Sequence, residues 1–328
     1  MDIKTLKDFL GDDCLAVQTL ICSSLKSGIS LLNSVNDSIL SHSGKQLRPL
    51  LALLMARACS ADGSASEATV RYAASSELLH NATLLHDDVA DDSDQRRGAP
   101  TVKSLMGPTV SVLVGDYWLV KAMELILGDN ESDTAVIRIF SKTLSNLAEG
   151  EMLQLQKAQS GDTDEQDYLK IIYNKTASLF EAACVSAAVS VGASQECVKA
   201  AREYAVALGI AFQIKDDILD YCGSSSVGKP LGVDILEQKI TIPLLGAFDT
   251  ASDDKSQHIR DLVKDIVAHP EYRDEIVDFV LENAGVEYAC RRLEEYVEQA
   301  VKALEVLKDS REKACLIELA HYTALRDR

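Results

Sequence analysis

A chain of 328 residues is long enough to bury a substantial core, as one large domain or two ordinary ones. Its 51 acidic side chains outnumber 33 basic ones, for a formal net charge of -18. That excludes a nucleic-acid binder, which needs a basic footprint, and means that a phosphorylated ligand must be captured locally, by metal or by clustered Lys and Arg.

Proline placement is the best guide to the elements. All six lie at positions 49, 100, 108, 230, 243 and 270, so 109–229 is free of them. Within that stretch apolar residues recur at three- and four-residue steps, as in Ile137, Phe140, Leu144 and Leu147, and alternating strands are missing. The expectation is an all-α protein of some ten to fourteen helices in a single domain over 1–328. The helices fall at 15–40, 44–60, 67–88, 109–128, 133–160, 165–191, 196–221, 237–249, 254–267, 271–283, 286–308 and 310–324, with Asp133, Asp164, Ser194 and Asp254 as N-caps. The eight cysteines include no C-x-x-C pair, which suits reduced thiols in a cytoplasmic protein. No apolar run approaches the roughly 18 residues of a spanning helix, and Met1-Asp2-Ile3-Lys4 does not begin a secretory signal.

In chain order, the first chemical feature is Gly44-Lys45-Gln46-Leu47-Arg48-Pro49. Lys45 and Arg48 are three apart at a helix start, where both can reach one anion, although an exposed basic turn is also common. Next, a helix carrying His80 and His86 runs into Asp87, Asp88 and Asp91. The same D-D-x-x-D spacing returns 129 residues later (216 minus 87) as Asp216, Asp217 and Asp220. On a helix Asp87 stands over Asp91 and Asp216 over Asp220, each with a third carboxylate beside the pair. Like charges so crowded repel, and carboxylate oxygens suit Mg²⁺, which also bridges to phosphates. An acidic triplet is usually a solvated face, but both copies are fused to apolar helical sequence (Leu84-Leu85; Ala211-Phe212). Two such walls facing each other would suspend a diphosphate between metal ions.

After the first triplet, Asp92 adds a carboxylate four residues beyond Asp88, and the chain turns to Arg96-Arg97-Gly98-Ala99-Pro100. Guanidinium forks bind phosphate oxygens, or simply neutralise neighbouring acids. Further on come Lys175-Thr176, Gln213 one turn before Asp217, a Gly/Ser segment at 223–228 that reads as a flap, Lys229, and Lys239 before Thr241.

These blocks resemble the trans-isoprenyl diphosphate synthases. The resemblance is carried by Gly44-Lys45-x-x-Arg48-Pro49, His86-Asp87-Asp88-x-x-Asp91-x4-Arg96-Arg97-Gly98-x-Pro100-Thr101, Lys175-Thr176, Phe212-Gln213-x-x-Asp216-Asp217-x-x-Asp220, Gly228-Lys229-Pro230 and Asp234-x4-Lys239-x-Thr241-x-Pro243. It implies an all-α barrel of antiparallel helices around a cavity, usually a homodimer. It also implies Mg²⁺-dependent 1'-4 condensation of isopentenyl diphosphate with an allylic diphosphate, with about three ions per site. Carried over, Asp87, Asp91 and Asp216 are direct metal ligands, supported by Asp88, Asp217 and Asp220. Lys45, Arg48, His80 and Arg97 hold isopentenyl diphosphate; Arg96, Lys175, Lys229 and Lys239 hold the allylic diphosphate. Thr176 and Gln213 line the space where the carbocation forms. One departure is Gln238, where the family commonly has Gly.

In that family the product grows down the helix before the first aspartate, and bulk four or five positions upstream stops it early. Here those positions hold Thr83 and Ala82, both small, with Leu79 a turn further, and Phe140 is a candidate floor. The first motif also lacks the two-residue insertion of many short-chain enzymes. The expectation is a long, octaprenyl-like product of about C30 to C50; the alternative is a C15 or C20 product with a floor elsewhere. More remote are an HD-type phosphohydrolase, for which His258, His269 and His321 supply no histidine pattern, and a class I terpene cyclase, whose second metal motif has a different spacing. A regulatory subunit would have lost the aspartate motifs.

Overall fold

The structure, a computed structural model, describes residues 3–42, 44–96, 98–128, 131–222 and 232–326. Its helices in chain order are α1 (Ile3–Leu10), α2 (Asp12–Ser24), α3 (Ser30–Ser41), α4 (Leu47–Cys59), α5 (Glu67–Ala90), α6 (Val102–Met106), α7 (Pro108–Ile126), α8 (Glu131–Ser160), α9 (Glu165–Ile172), α10 (Ser178–Ser190), α11 (Gln195–Cys222), α12 (Val233–Leu236), α13 (Ile242–Thr250), α14 (Asp253–Asp265), α15 (Tyr272–Glu282), α16 (Gly285–Ala303) and α17 (Arg311–Leu325). The one extended pairing among the described residues is a two-residue hairpin, β1 (Gln95–Arg96) against β2 (Ala99–Pro100). The protein is all-α, as the periodicity predicts. No helix among the described residues is long and apolar enough to cross a membrane.

The chain divides into two compact units. The first comprises Met1–Ser141, Ala182–Arg202 and Val306–Leu316. Its axis is α5, which packs on α7, α4 and α2. Every residue from Tyr72 to Leu79 is buried, and a helix covered on all sides belongs at the middle of its unit. Small residues let α7 lie close against it: the Ser111 hydroxyl donates to the Leu85 carbonyl at 2.8 Å, and a Cβ on Gly115 would meet the His86 ring at 2.4 Å. The helix expected over 15–40 is broken between Ser24 and Ser30, where Lys26-Ser27-Gly28 interrupts it. Asn36 Nδ2 closes that turn on the Leu25 carbonyl, and Trp118 Nε1 donates to Asn36 Oδ1.

Asp133 is not an N-cap. It lies inside α8, which begins at Glu131. Its buried carboxylate takes Arg71 Nη2 at 3.0 Å, while Arg71 Nη1 donates to the Leu125 and Ile126 carbonyls at the end of α7. The guanidinium thus satisfies helix-terminal carbonyls and one acid together. Asp254 falls inside α14, whose N-cap is Ser252. Asp164 and Ser194 do cap their helices, each accepting a backbone N–H three residues on.

The second unit comprises Lys142–Glu181, Glu203–Glu305 and Ile317–Arg328. The helix expected over 165–191 is continuous but contains one π-helical turn, Tyr173–Ala177, of the kind that often marks a functional site. Two glycines let neighbouring helices touch it. A Cβ on Gly150 would meet Asn174 Cβ at 2.7 Å, and one on Gly209 would meet Ala177 Cα at 2.5 Å. The helix expected over 237–249 begins only at Ile242, as α13; the short α12 ends before it, and Gln238 in the left-handed region (φ 58°) lies between the two.

Removing one member of a buried, hydrogen-bonded charge pair strands the other. Asp133→Ala is therefore expected to cost about 3–5 kcal/mol, read as a lowered urea midpoint with an unchanged slope; a loss below ~1 kcal/mol would show the pair to be dispensable.

Candidate active site

Both aspartate motifs occupy the last turns of long helices. The first ends α5: Ala90 is its last residue, and Asp91, as C-cap, donates its N–H to the Asp87 carbonyl at 2.8 Å. The second ends α11 at Cys222. A helix C-terminus carries partial negative charge, so three acids there are doubly unfavourable unless a cation joins them. The structure sorts each triplet by burial.

In the first unit Asp88 is buried (4% exposed) and receives Arg96 Nε at 2.7 Å, while Asp87 is half-buried and Asp91 exposed. Arg96 thus neutralises the middle acid from β1. Asp92 does not stack on Asp88: the helix has ended, its backbone is left-handed (φ 51°), and its carboxylate pairs with Lys103. Lys45 is exposed and precedes α4, because the chain turns at Gln46 (φ 57°); half-buried Arg48 lies in the first turn. The pair does not share a helix face as its spacing suggests. His80 is half-buried on α5, and His86 lies 3.3 Å from Asp116. Leu79 and Ala82 are buried, and half-buried Thr83 donates its hydroxyl to the His80 carbonyl. Phe140 is fully buried. Arg97, Lys229, Pro230 and the 223–228 segment lie outside the described residues.

The second unit builds a cleft whose walls include Lys175, Thr176, Gln213, Asp217, Asp234 and Lys239. These come from three blocks far apart in sequence. Asp217 (2% exposed) has both oxygens engaged: Tyr168 Oη donates to Oδ2 at 2.7 Å and Gln213 Nε2 to Oδ1 at 2.9 Å. Gln213 Oε1 in turn accepts from the Thr176 hydroxyl at 2.9 Å, so one hydrogen-bonded line ties the π-turn to the motif. Burial holds the Asp217 carboxyl well above the usual carboxylate range; the nearby Asp234 charge adds to this, and the two donors oppose it. Asp220 is a clasp. Its oxygens accept the backbone N–H of Val233 and of Asp234 at 3.0 and 3.1 Å, fixing the chain where it returns to α12. Asp216, half-buried, accepts Arg326 Nη2 at 2.8 Å.

The cations of this cleft sit in pairs with acids. Lys175 Nζ lies 2.5 Å from Glu151 and donates to Gln154 Oε1 at 3.0 Å. Lys239 lies 3.6 Å from Asp234 and bonds Glu237. Burial pushes the Asp234 carboxyl up to about 6, against the pull of Lys239. Gln238 explains its own oddity: the backbone before Lys239 is left-handed, the conformation glycine adopts without strain, and here Gln238 Nε2 anchors it on the Lys264 carbonyl. Tyr168, Glu151, Gln154 and Arg326 have no motif to announce them. Tyr168 reads in sequence as one more apolar position of a helix.

Among the described residues no three His, Cys, Asp or Glu side chains converge into a ready-made metal cage. Mg²⁺ does not require one, since it is ordinarily held by one or two carboxylates with waters and phosphate oxygens completing its shell. The hard oxygen donors of exposed Asp91 and of half-buried Asp87 and Asp216 fit that mode.

An all-α fold that carries two acidic triplets and a cleft lined by lysines fits a protein that handles diphosphates. The family model for polyprenyl synthetase matches residues 29–280. The chain is 36% identical to the octaprenyl diphosphate synthase of Escherichia coli (strain K12) over 329 aligned positions, covering 100% of both chains. It is 35% identical to the geranyl-diphosphate-specific all-trans-nonaprenyl-diphosphate synthase of Rhodobacter capsulatus, covering 94% of each. The crystal structure of a decaprenyl diphosphate synthase from Rhodobacter capsulatus superposes with a TM-score of 0.91 at 35% identity, over 100% of both chains. The chain belongs to the polyprenyl synthetase family.

Asp234 provides a pH test. Its folded pKa lies above its unfolded value, so the folded state is favoured by protonation, and stability is lost as pH rises from about 4 through 6. Asp234→Asn, which never ionises, should gain stability relative to the parent across that window in metal-free thermal melts; a constant difference between pH 4.5 and 7 would contradict the burial argument.

Proposed function

We propose that the protein condenses isopentenyl diphosphate head to tail (1'-4) with an allylic diphosphate, releasing diphosphate and building an all-trans polyprenyl diphosphate of about C30 to C50. The observation that carries the reading is the second-unit cleft, where Lys175, Thr176, Gln213, Asp217 and Lys239 line one space. The long product is supported by full-length similarity to synthases named for octaprenyl and nonaprenyl products, and by small residues at 82 and 83 on buried α5.

Asp87, Asp91 and Asp216 would hold Mg²⁺, which when bound would supply positive charge against the leaving diphosphate. The chain's own groups do the rest. Lys175 and Lys239, with Arg96 and Lys229, receive diphosphate oxygens as the allylic C–O bond breaks, exchanging their acidic partners for the substrate's developing charge. The Thr176 and Gln213 oxygens stand beside the carbocation. Lys45, Arg48, His80 and Arg97 hold isopentenyl diphosphate, whose double bond attacks the cation; the released diphosphate takes the final proton. Asp88, Asp217 and Asp220 position the acids beside them. The family match runs through both compact units, which supports reading 1–328 as one catalytic domain.

The working form is a homodimer in the cytoplasm. Leu113, Val120 and Leu127 stand exposed at seven-residue steps along α7 and its end, an apolar seam suited to a second copy, and eight free thiols suit a reducing compartment. A monomer mass in light scattering would remove the dimer.

Incubation with Mg²⁺, farnesyl diphosphate and excess isopentenyl diphosphate should give a ladder of products ending at one length in the C30–C50 range, read by mass. Ala82→Tyr should shorten that end point by several isoprene units. Termination at C20 in the parent would replace the long-chain reading by the short-chain one, and an unchanged end point in the variant would move the tunnel off α5.

A further inference from the structure

Arg326 belongs to none of the motif blocks, yet it reaches the second motif. Its side chain is 6% exposed and is held from three sides. Nη2 donates to Asp216 Oδ1 and to the Phe212 carbonyl, each at 2.8 Å. The guanidinium carbon lies 3.8 Å from the centre of the Phe212 ring. Phe212 and Asp216 are one turn apart on α11, so a single group spans the turn that leads into the motif. A buried, stacked and backbone-anchored guanidinium is a fixture rather than a swinging arm, and it stays charged at any working pH.

We infer that Arg326 is a positioning residue for the second aspartate motif, a resident counter-cation that orients Asp216 and keeps the motif from loading metal until a diphosphate arrives. The inference rests on the metal-binding role given to Asp216 above. Charge decides the direction of the effect. A divalent ion on Asp216 would sit within several ångströms of the guanidinium, and the two repel; the negative charge of a bound diphosphate offsets that repulsion. Asp216 therefore favours metal that comes with substrate. In the first motif Arg96 pairs with the buried middle acid, Asp88.

The test is a titration of the substrate-free protein with Mn²⁺, read by electron paramagnetic resonance, on the parent, Arg326→Gln and Arg326→Lys, with melting curves to confirm folding. Arg326→Gln keeps a donor for the Phe212 carbonyl but no charge. It should bind Mn²⁺ about tenfold more tightly than the parent, from the loss of one repelling charge even at near-water screening, while its kcat falls and its KM for isopentenyl diphosphate holds. Arg326→Lys keeps the charge and should show the parent's Mn²⁺ affinity with a smaller loss of kcat. If the glutamine variant does not fold, Arg326→Met, which keeps apolar packing on Phe212, carries the same expectation. Unchanged or weaker Mn²⁺ binding by the folded uncharged variant, with a lowered melting temperature, would reduce Arg326 to a clamp on the segment after α17 and overturn the inference, while elongation by the parent would leave the reaction intact. A parent that neither elongates nor binds Mn²⁺ would overturn both.

Discussion

Six carboxylates crowded into the terminal turns of two helices are the constraint on which the rest of this structure depends. Both the neighbouring acids and the helix dipole oppose their charge. The protein meets the problem by dividing labour within each triplet. Asp88 and Asp217 are buried and tied, one to Arg96 and the other to Tyr168 and Gln213. Asp220 is spent on the backbone at Val233 and Asp234. Asp91 is exposed and Asp87 and Asp216 are half-buried, a set that suits a hard divalent ion. Within each motif the three acids are alike in residue type and unlike in burial and partners.

The supports account for much of the surrounding architecture. Gln213 can hold Asp217 because the two are four apart on α11, and it accepts from Thr176, which lies in the π-turn. That turn is packed tightly enough that Gly150 and Gly209 have no room for a side chain. Every phosphate-ready lysine in the cleft is paired with an acid: Lys175 with Glu151, Lys239 with Asp234 and Glu237. Such pairs keep a strongly acidic protein's few local cations ordered, and they can be exchanged for substrate oxygens at modest cost because both partners are partly hydrated.

Much of this was legible from sequence. Proline-free, three-and-four periodicity is enough to read an all-α chain, and the doubled D-D-x-x-D points to metal and diphosphate, while the reaction itself and the part of Lys175-Thr176 and Gln213 in it come from the resemblance to the trans-isoprenyl diphosphate synthases. The remainder depends on tertiary placement. Tyr168 looks like core until its hydroxyl is seen on Asp217. Arg326 looks like a surface residue until it is found stacked on Phe212. Asp133 looks like a cap because Asp before an apolar run usually is one, but Arg71 recruits it from another helix. Lys45 and Arg48 are separated by a left-handed Gln46 that spacing alone does not reveal. Gln238 shows the reverse case, an apparent departure from the family pattern that backbone geometry makes intelligible.

The central claim is that these acids and cations form a site for metal and diphosphate together, with neither ligand favoured alone. Melting curves of the purified protein with Mg²⁺, with inorganic pyrophosphate and with both test it directly. The account predicts small shifts for each ligand alone and a rise for the pair well beyond their sum, abolished in Asp216→Asn. Additive shifts, or an equal rise in the Asp216→Asn variant, would contradict it.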